Sequence, residues 1–157
     1  MGININTSLS LNPQCSHDHQ HVHNIVYFKL GTTPSISFNL FDKVYTFEDL
    51  KQVTFIFKQN GVIHYYEAII YAEDGSWELD PHFKHEIGED FEILRFTLSS
   101  QETLQFTPSN SNKEDSLIKF EVAVELDEEI CGEKAVLIES MNNIFVVDSM
   151  YKELIEV

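Results

Sequence analysis

The sequence has 157 residues, and its 26 acidic and 10 basic side chains give a formal net charge of −16. The length suits one domain with a short extra arm, and the apolar fraction of 43% excludes a wholly disordered chain. An acidic surface repels phosphate groups, so we expect neither nucleic acid nor an anionic membrane as a partner.

The N-terminal region, residues 1–23, differs from the rest of the chain. It is polar, contains four of the seven histidines and lacks a periodic apolar pattern. It also has neither the basic start nor the apolar stretch of a secretory signal, which predicts a protein made in the cytoplasm. We therefore expect a histidine-rich arm at 1–23, a globular domain at 24–148 and a C-terminal tail at 149–157.

The first half of the domain has the composition of β-strands, with β-branched and aromatic residues that partly alternate with polar ones. Four segments show this pattern: 25–30, 36–40, 53–57 and 62–71. Asn60-Gly61 lies between the last two segments, and this dipeptide is a strong signal for a two-residue hairpin. A short helical turn that begins at Thr46 is predicted before the third strand.

The second half begins with a break in the β pattern. Residues 73–90 contain two glycines, a proline, the only tryptophan and seven acids, which predicts a long loop with room for a short strand. After it, Ser99 and Glu102 have the spacing of a capping box on a short helical turn. Four further strands are predicted: 91–98, 118–126, 134–138 and 144–147.

These elements predict an all-β fold. Seven or eight short strands separated by turns are typical of a β-sandwich, here of the Ig-like or jelly-roll type. No alternation of strands and helices is present, which argues against a doubly wound fold. The tail at 149–157 is expected to form a short helix or an extended arm.

Four histidines in the arm occupy alternate positions: His17, His19, His21 and His23. In an extended strand these side chains share one face, and imidazole is a favoured ligand of transition metals. The pattern predicts a zinc or iron site, with one ion enclosed by copies of the arm from several chains. The other interpretation is a flexible polar arm without a metal. A cupin-type site needs a glutamate soon after the histidines, but the first is Glu48.

The predicted loop contains a second group of candidate residues, for contact with a partner: Trp77, His82, Phe83 and His85. Loops on a rigid sandwich commonly carry binding residues, and tryptophan is frequent among the residues that dominate interfaces. An exposed aromatic patch of this kind would grip a protein or a sugar. Alternatively, Trp77 and Phe83 fold back and cover one end of the core.

Catalytic signatures are absent from the sequence. The six glycines are too dispersed for a phosphate-binding loop, and no GxSxG, HExxH or CxxC motif is present. The acids at 125–133 lack the spacing of an EF-hand and are interpreted as a solvated sheet edge. We therefore expect no enzymatic activity.

Four stretches resemble a family of small β-sandwich proteins from phages and prophages, which includes the N-terminal domain of phage upper baseplate proteins. In chain order they are GTTPSISFNL, VTFIFKQNG, LRFTLSSQETLQF and KFEVAVEL, and the similarity covers residues 30–147. The alternating histidines are also similar to the His-x-His pairs with which three chains of phage tail fibres enclose a metal ion.

The resemblance implies a structural component of a bacteriophage virion, in the tail, the baseplate or a connector. Its expected partners are other virion subunits, and the chain itself is expected to form a homo-oligomer or part of a symmetric assembly. Two alternatives come from the residues themselves. One is a metal-binding protein that uses the histidine arm, and the other is a carbohydrate-binding module that uses Trp77.

Overall fold

A computed structural model of the chain describes residues 4–8, 26–40, 46–108, 117–130 and 132–156. Within these ranges the chain forms eleven strands: β1 (Asn4–Ser8), β2 (Val26–Lys29), β3 (Ser35–Asn39), β4 (Leu50–Gln59), β5 (Val62–Glu67), β6 (Ile69–Tyr71), β7 (Trp77–Leu79), β8 (Phe83–Ile87), β9 (Glu92–Thr97), β10 (Leu117–Ile130) and β11 (Glu133–Val147). A 3-10 turn lies at Phe47–Asp49, and two single-turn helices are α1 (Ser100–Thr103) and α2 (Lys152–Ile155).

The strands form two main sheets and one small one. The order in the larger sheet is β2-β11-β10-β4-β5, and in the second sheet it is β1-β3-β9-β8. Strands β6 and β7 form a separate antiparallel pair. Most neighbours are antiparallel, but β1 runs parallel to β3, and β2 runs parallel to β11. The predicted all-β, sandwich-like fold is confirmed.

The core lies between the two main sheets because alternate residues of their strands point inward. In β4 the buried residues include Val53, Phe55 and Phe57, which alternate along the strand, while Lys51 and Lys58 remain exposed. Strand β10 follows the same two-residue period from Ile118 to Leu126. The alternation that predicted these strands therefore reports their burial correctly.

Aromatic rings connect the two sheets. The Phe55 ring in the larger sheet lies 5.1 Å from Phe96 and 5.2 Å from Phe83, both of the second sheet. Within its own sheet Phe55 also contacts Phe120 at 5.5 Å. Each of these pairs adopts a tilted or edge-to-face arrangement, which aromatic rings prefer over direct stacking.

The predicted local signals form the expected turns. Asn60 and Gly61 both have positive φ, of 52° and 79°, as a type I′ turn between β4 and β5 requires. Ser99 caps α1, since its side chain accepts from the Glu102 amide at 3.1 Å and its own amide donates to the Glu102 carboxylate at 2.8 Å. The 3-10 turn begins directly after Thr46, as predicted.

Several strand boundaries differ from the prediction. The segment at 73–90, expected as a long loop with room for a short strand, contains two strands, β7 and β8, which pair with β6 and β9. Both of its glycines and most of its acids lie in the connections outside these strands. The expected return strand at 62–71 is divided at Ala68, where the chain leaves β4 and pairs with β7 instead. The last two predicted strands form one long strand, β11.

The two terminal regions also take part in the described fold. Residues 4–8 of the predicted arm form β1, at the edge of the second sheet. The predicted C-terminal tail forms α2 and packs beside Gly31, where an added Cβ would lie 3.1 Å from the Ile155 side chain. The Ser149 hydroxyl donates to the Leu30 carbonyl at 2.6 Å and fixes the start of the tail.

Strands β10 and β11 extend beyond the rest of their sheet. Pairing of β10 with β4 ends at Leu126, and pairing of β11 with β2 begins at Ile144. Beyond Leu126, β10 continues to pair with β11 as far as the Ile130–Glu133 pair. The far part of this hairpin is therefore a two-stranded ribbon in the described structure.

The position of Phe55 predicts its contribution to stability. Replacing this 0% exposed side chain by alanine leaves a cavity between the sheets, so Phe55→Ala should lower the free energy of unfolding by about 3–5 kcal/mol. Chemical denaturation measures the change. The matched control is Phe91→Ala, since Phe91 is 46% exposed and its loss should cost less than about 1 kcal/mol. Equal losses in the two variants would contradict the assigned core.

Candidate interaction surfaces

Strand β5 is an outer strand of the larger sheet and carries exposed apolar side chains. Among the residues that the structure describes, β5 pairs only with β4. Val62, Ile63 and Tyr65 are between 54% and 63% exposed. The strand contains no proline or lysine, the residues that commonly prevent further pairing at a sheet edge.

The outer face of the larger sheet continues this apolar surface. Pairing places Tyr65 beside Ile56 and, one strand further, Ile56 beside Glu121. At the far side of the sheet, Val136 and Ile138 of β11 are about half exposed. The solvent face of this sheet therefore mixes charged residues with exposed aliphatic and aromatic ones.

A cleft lies where the β6–β7 pair meets the start of β4 and the end of β10. Its volume is about 340 Å³, and it is lined by Glu48, Leu50, Lys51, Tyr71, Trp77 and Asp127. Tyr71 and Trp77 are direct partners across the β6–β7 pair, so their side chains project from the same face. Trp77 is 50% exposed and Tyr71 is 48% exposed.

Two contacts hold these aromatic rings in position. The Tyr71 hydroxyl donates a hydrogen bond to the Lys51 carbonyl. The Trp77 ring packs edge-on against Phe47, which is buried, with ring centroids 6.0 Å apart. Burial raises the pKa of Tyr71, and the negative charges of Asp127 and Glu125 raise it further. The cleft is therefore a preformed aromatic site in a negative field.

Of the two interpretations of Phe83, the structure agrees with the one in which its side chain covers the core, and Phe83 is not part of an exposed patch. Its side chain is only 6% exposed and packs against Phe55 and Phe96 in the core. The reason is its place in β8, a strand of the second sheet whose Phe83 position faces inward. Of the four predicted partner-binding residues, Trp77 is the most exposed.

His85 has structural contacts on both sides. Its ring stacks on Phe47 with centroids 4.5 Å apart, and its Nε2 lies 3.1 Å from a Glu92 carboxylate oxygen. Because Phe47 also contacts Trp77, His85 supports the base of the aromatic cleft without lining it.

His82 lies between two carboxylates. Its Nδ1 is 2.6 Å from Asp80, and its Nε2 is 2.6 Å from Glu102. A neutral imidazole can donate from only one nitrogen, whereas the protonated ring donates from both. The geometry thus favours an imidazolium ion that links the turn before β8 to α1.

Asp80, His82 and Glu102 together form the His82 group, and its electrostatics follow from the same contacts. Partial burial acts to lower the pKa of His82, but hydrogen bonds and charges of Asp80 and Glu102 outweigh it, and the pKa is raised. Burial acts to raise the pKa of Glu102, but hydrogen bonds from the Ser99 amide and His82 outweigh that effect, and the pKa is lowered. Each partner therefore stabilises the charged form of the other.

The His82 group also contacts strand β5. The Tyr66 ring lies 4.9 Å from the His82 ring, and the Tyr66 hydroxyl accepts a hydrogen bond from Gln105 at 3.2 Å. Burial and the nearby Glu102 charge raise the pKa of Tyr66, against an opposing effect of Gln105. The outer strand of the larger sheet is thereby fastened to the second sheet and to α1.

The predicted metal ligands His17, His19, His21 and His23 lie outside the described residues. Among the residues that are described, no group of three or more histidine, cysteine, aspartate and glutamate side chains is arranged to hold a metal ion. The zinc or iron site of the arm remains a prediction. In the same described ranges, no helix has the length and apolar character needed to cross a bilayer.

Comparison with known proteins does not assign the chain to a family. No protein-family model matches the sequence, and no curated protein is significantly similar to it.

Sequence patterns alone did not reveal two of these features. The sequence predicts Tyr71 only as part of a strand, because the β6–β7 register alone brings it beside Trp77. Glu102 was predicted as a capping residue, but its second contact, with His82, joins positions 20 residues apart. The short spacing of Asp80 and His82 is the one local signal that the sequence offered.

The His82 group predicts a specific pH dependence of stability. Since the folded pKa of His82 is raised, its contribution is complete below its ordinary pKa of about 6.5 and disappears as the pH rises through the folded value. The contribution of Glu102, whose pKa is lowered, is complete above its ordinary value of 4.5 and disappears as the pH falls through the folded value. His82→Gln should therefore cost about 1–3 kcal/mol between these limits and less at alkaline pH.

Denaturation curves from about pH 5 to about pH 9 measure this difference. The control is Lys84→Gln, which removes a positive charge from an exposed position two residues further on, in β8, and should change stability by less than about 0.5 kcal/mol. A difference between wild type and His82→Gln that stays constant over the whole range would contradict the ionic link.

Proposed function

We propose that the chain is a structural subunit of a bacteriophage virion, in the tail, baseplate or a connector, and that it assembles through the β5 edge of its larger sheet. The observation that carries the assembly role is the strand VIHYYE, an exposed outer strand without proline or lysine. The assignment to a virion rests on the resemblance of residues 30–147 to small phage sandwich proteins.

Strand β5 is suited to pair with a strand of another subunit. Its exposed residues are β-branched or aromatic, which favours an added strand, and Glu67 is its only acid. Monomeric proteins usually protect such an edge with charges or proline, because an open edge invites pairing between chains. The absence of that protection in β5 favours pairing as its function.

The side chains of β5 face two sides of the sheet, one toward the core and one available to a partner. Tyr66 and His64 pair with the buried Phe55 and Phe57 and so face the interior side of the sheet. Ile63 and Tyr65 face the other side and are available to a neighbour. A neighbouring subunit can therefore use the outward residues without any change in the core.

The partner at this edge is a second copy of the chain, in keeping with the symmetry expected of virion parts. Two copies that pair along β5 bring few charges together, since the strand has no lysine or arginine and Glu67 is its only acid. The net charge of −16 still repels at long range, so the association should strengthen as salt screens it.

The proposal predicts that the purified full chain self-associates and that charges on β5 prevent it. The double variant Ile63→Lys/Tyr65→Lys should weaken association by about tenfold or more, because buried lysines at a strand edge oppose pairing. The added positive charges reduce the overall repulsion between the negatively charged copies. Weaker association of this variant would therefore come from the loss of pairing at β5. Light scattering coupled to size-exclusion chromatography over a range of concentrations measures it.

A matched control places the same charges on another exposed apolar segment. Met150 and Leu154 at the C-terminus are 85% and 72% exposed, so Met150→Lys/Leu154→Lys should leave association unchanged. Equal dissociation of both double variants would contradict a specific role for β5. A wild-type chain that stays monomeric at every concentration would contradict self-pairing.

The virion assignment needs a separate measurement. Mass spectrometry of phage particles purified from the source organism should detect peptides of this chain at a stoichiometry typical of a multi-copy subunit. Particles that contain the neighbouring tail proteins but lack this chain would contradict the assignment.

A further inference from the structure

The cleft beside Trp77 has the size of a site for one side chain. Its volume of about 340 Å³ lies at the lower end of the range for ligand pockets, which is about 300–1,000 Å³. Its lining combines two half-exposed aromatic residues with two acidic residues, Glu48 and Asp127. This combination of aromatic faces and acids is the chemistry that recognises an organic cation.

The aromatic rings are positioned before any ligand binds. Tyr71 and Trp77 are fixed opposite each other in the β6–β7 pair, and each has a further contact at its base. A ligand therefore does not have to order them, which reduces the entropic cost of binding.

The electrostatic balance of the cleft is negative. Lys51 is the one base among its six lining residues, and its Nζ lies 3.8 Å from the Glu125 carboxylate, so a neighbouring acid already offsets its charge. Glu48 and Asp127 add two negative charges, and the pKa of the adjacent Tyr71 is raised partly by Asp127 and Glu125. The net charge of −16 adds a long-range attraction for cations.

We propose that this cleft binds an arginine side chain presented by a partner protein. The guanidinium group stacks on the Trp77 ring, and its N–H groups donate to the carboxylates of Glu48 and Asp127. Arginine fits better than lysine because its planar cation is weakly hydrated, stacks on aromatic faces and offers several donors to carboxylates. The inference does not depend on pairing through β5 or on a place in a virion.

The single tryptophan of the chain provides a direct measurement. Because Trp77 is the only tryptophan, its indole N–H signal in a ¹H–¹⁵N spectrum of the full chain reports on the cleft without ambiguity. Titration with Nα-acetyl-arginine amide at low ionic strength should shift this signal in a saturable manner. Nα-acetyl-citrulline amide has nearly the same shape without the charge. Its affinity should be lower by a factor of about ten or more.

Charge-removing variants test the carboxylates. Glu48→Gln and Asp127→Asn should each weaken binding of the arginine amide about three- to tenfold, and the double variant should abolish it at the same concentrations. The matched control is Glu153→Gln in α2, which makes the same change in net charge outside the cleft and should leave the affinity unchanged. Circular dichroism checks that every variant is folded.

Other outcomes would overturn the proposal. These are equal shifts with the arginine and citrulline amides, equal weakening by Glu153→Gln, and no shift of the indole signal with the arginine amide. A further titration uses the methyl glycosides of glucose and N-acetylglucosamine. If these sugars shift the signal and the arginine amide does not, the cleft is a carbohydrate site and the cation proposal is wrong.

Discussion

The contact between the Phe55 ring and the second sheet is the interaction on which the rest of the structure depends. Phe55 lies on β4, next to the central strand of the larger sheet, and touches Phe83, Phe96 and Phe120. Neither sheet can bury its apolar face alone, so these rings make the two layers one body. The β5 edge and the Trp77 cleft both involve strands whose inner residues pack in or against this core.

The parts of the fold that the sequence predicted correctly are those with strong local signals. Alternation in β4 and β10, the Asn60-Gly61 turn and the Ser99 capping box each depend on a few adjacent residues. The all-β class followed from them. Local patterns do not contain the pairing of short strands, so a segment rich in acids and glycine predicted a loop with room for one short strand where the structure has both β7 and β8.

The same distinction applies to the candidate sites. Trp77 stands out in the sequence because tryptophan is rare, but its partner Tyr71 is recognisable only from the strand register. Phe83 is four residues beyond Leu79 on the next strand, and the sequence could not show that its side chain turns into the core. Long-range contacts such as His82 with Glu102 likewise depend on the assembled layers.

The ribbon formed by the far ends of β10 and β11 has a consequence for how such a chain can diverge. Its pairing beyond Leu126 involves these two strands alone in the described structure, so adding or removing one residue pair there disturbs no layer of the sandwich. Descendants of the same ancestor could thus change how far the hairpin reaches in steps of about 3.4 Å per residue while they keep one hydrophobic interior. Length would then evolve independently of stability, and reach could be matched to neighbours of different size.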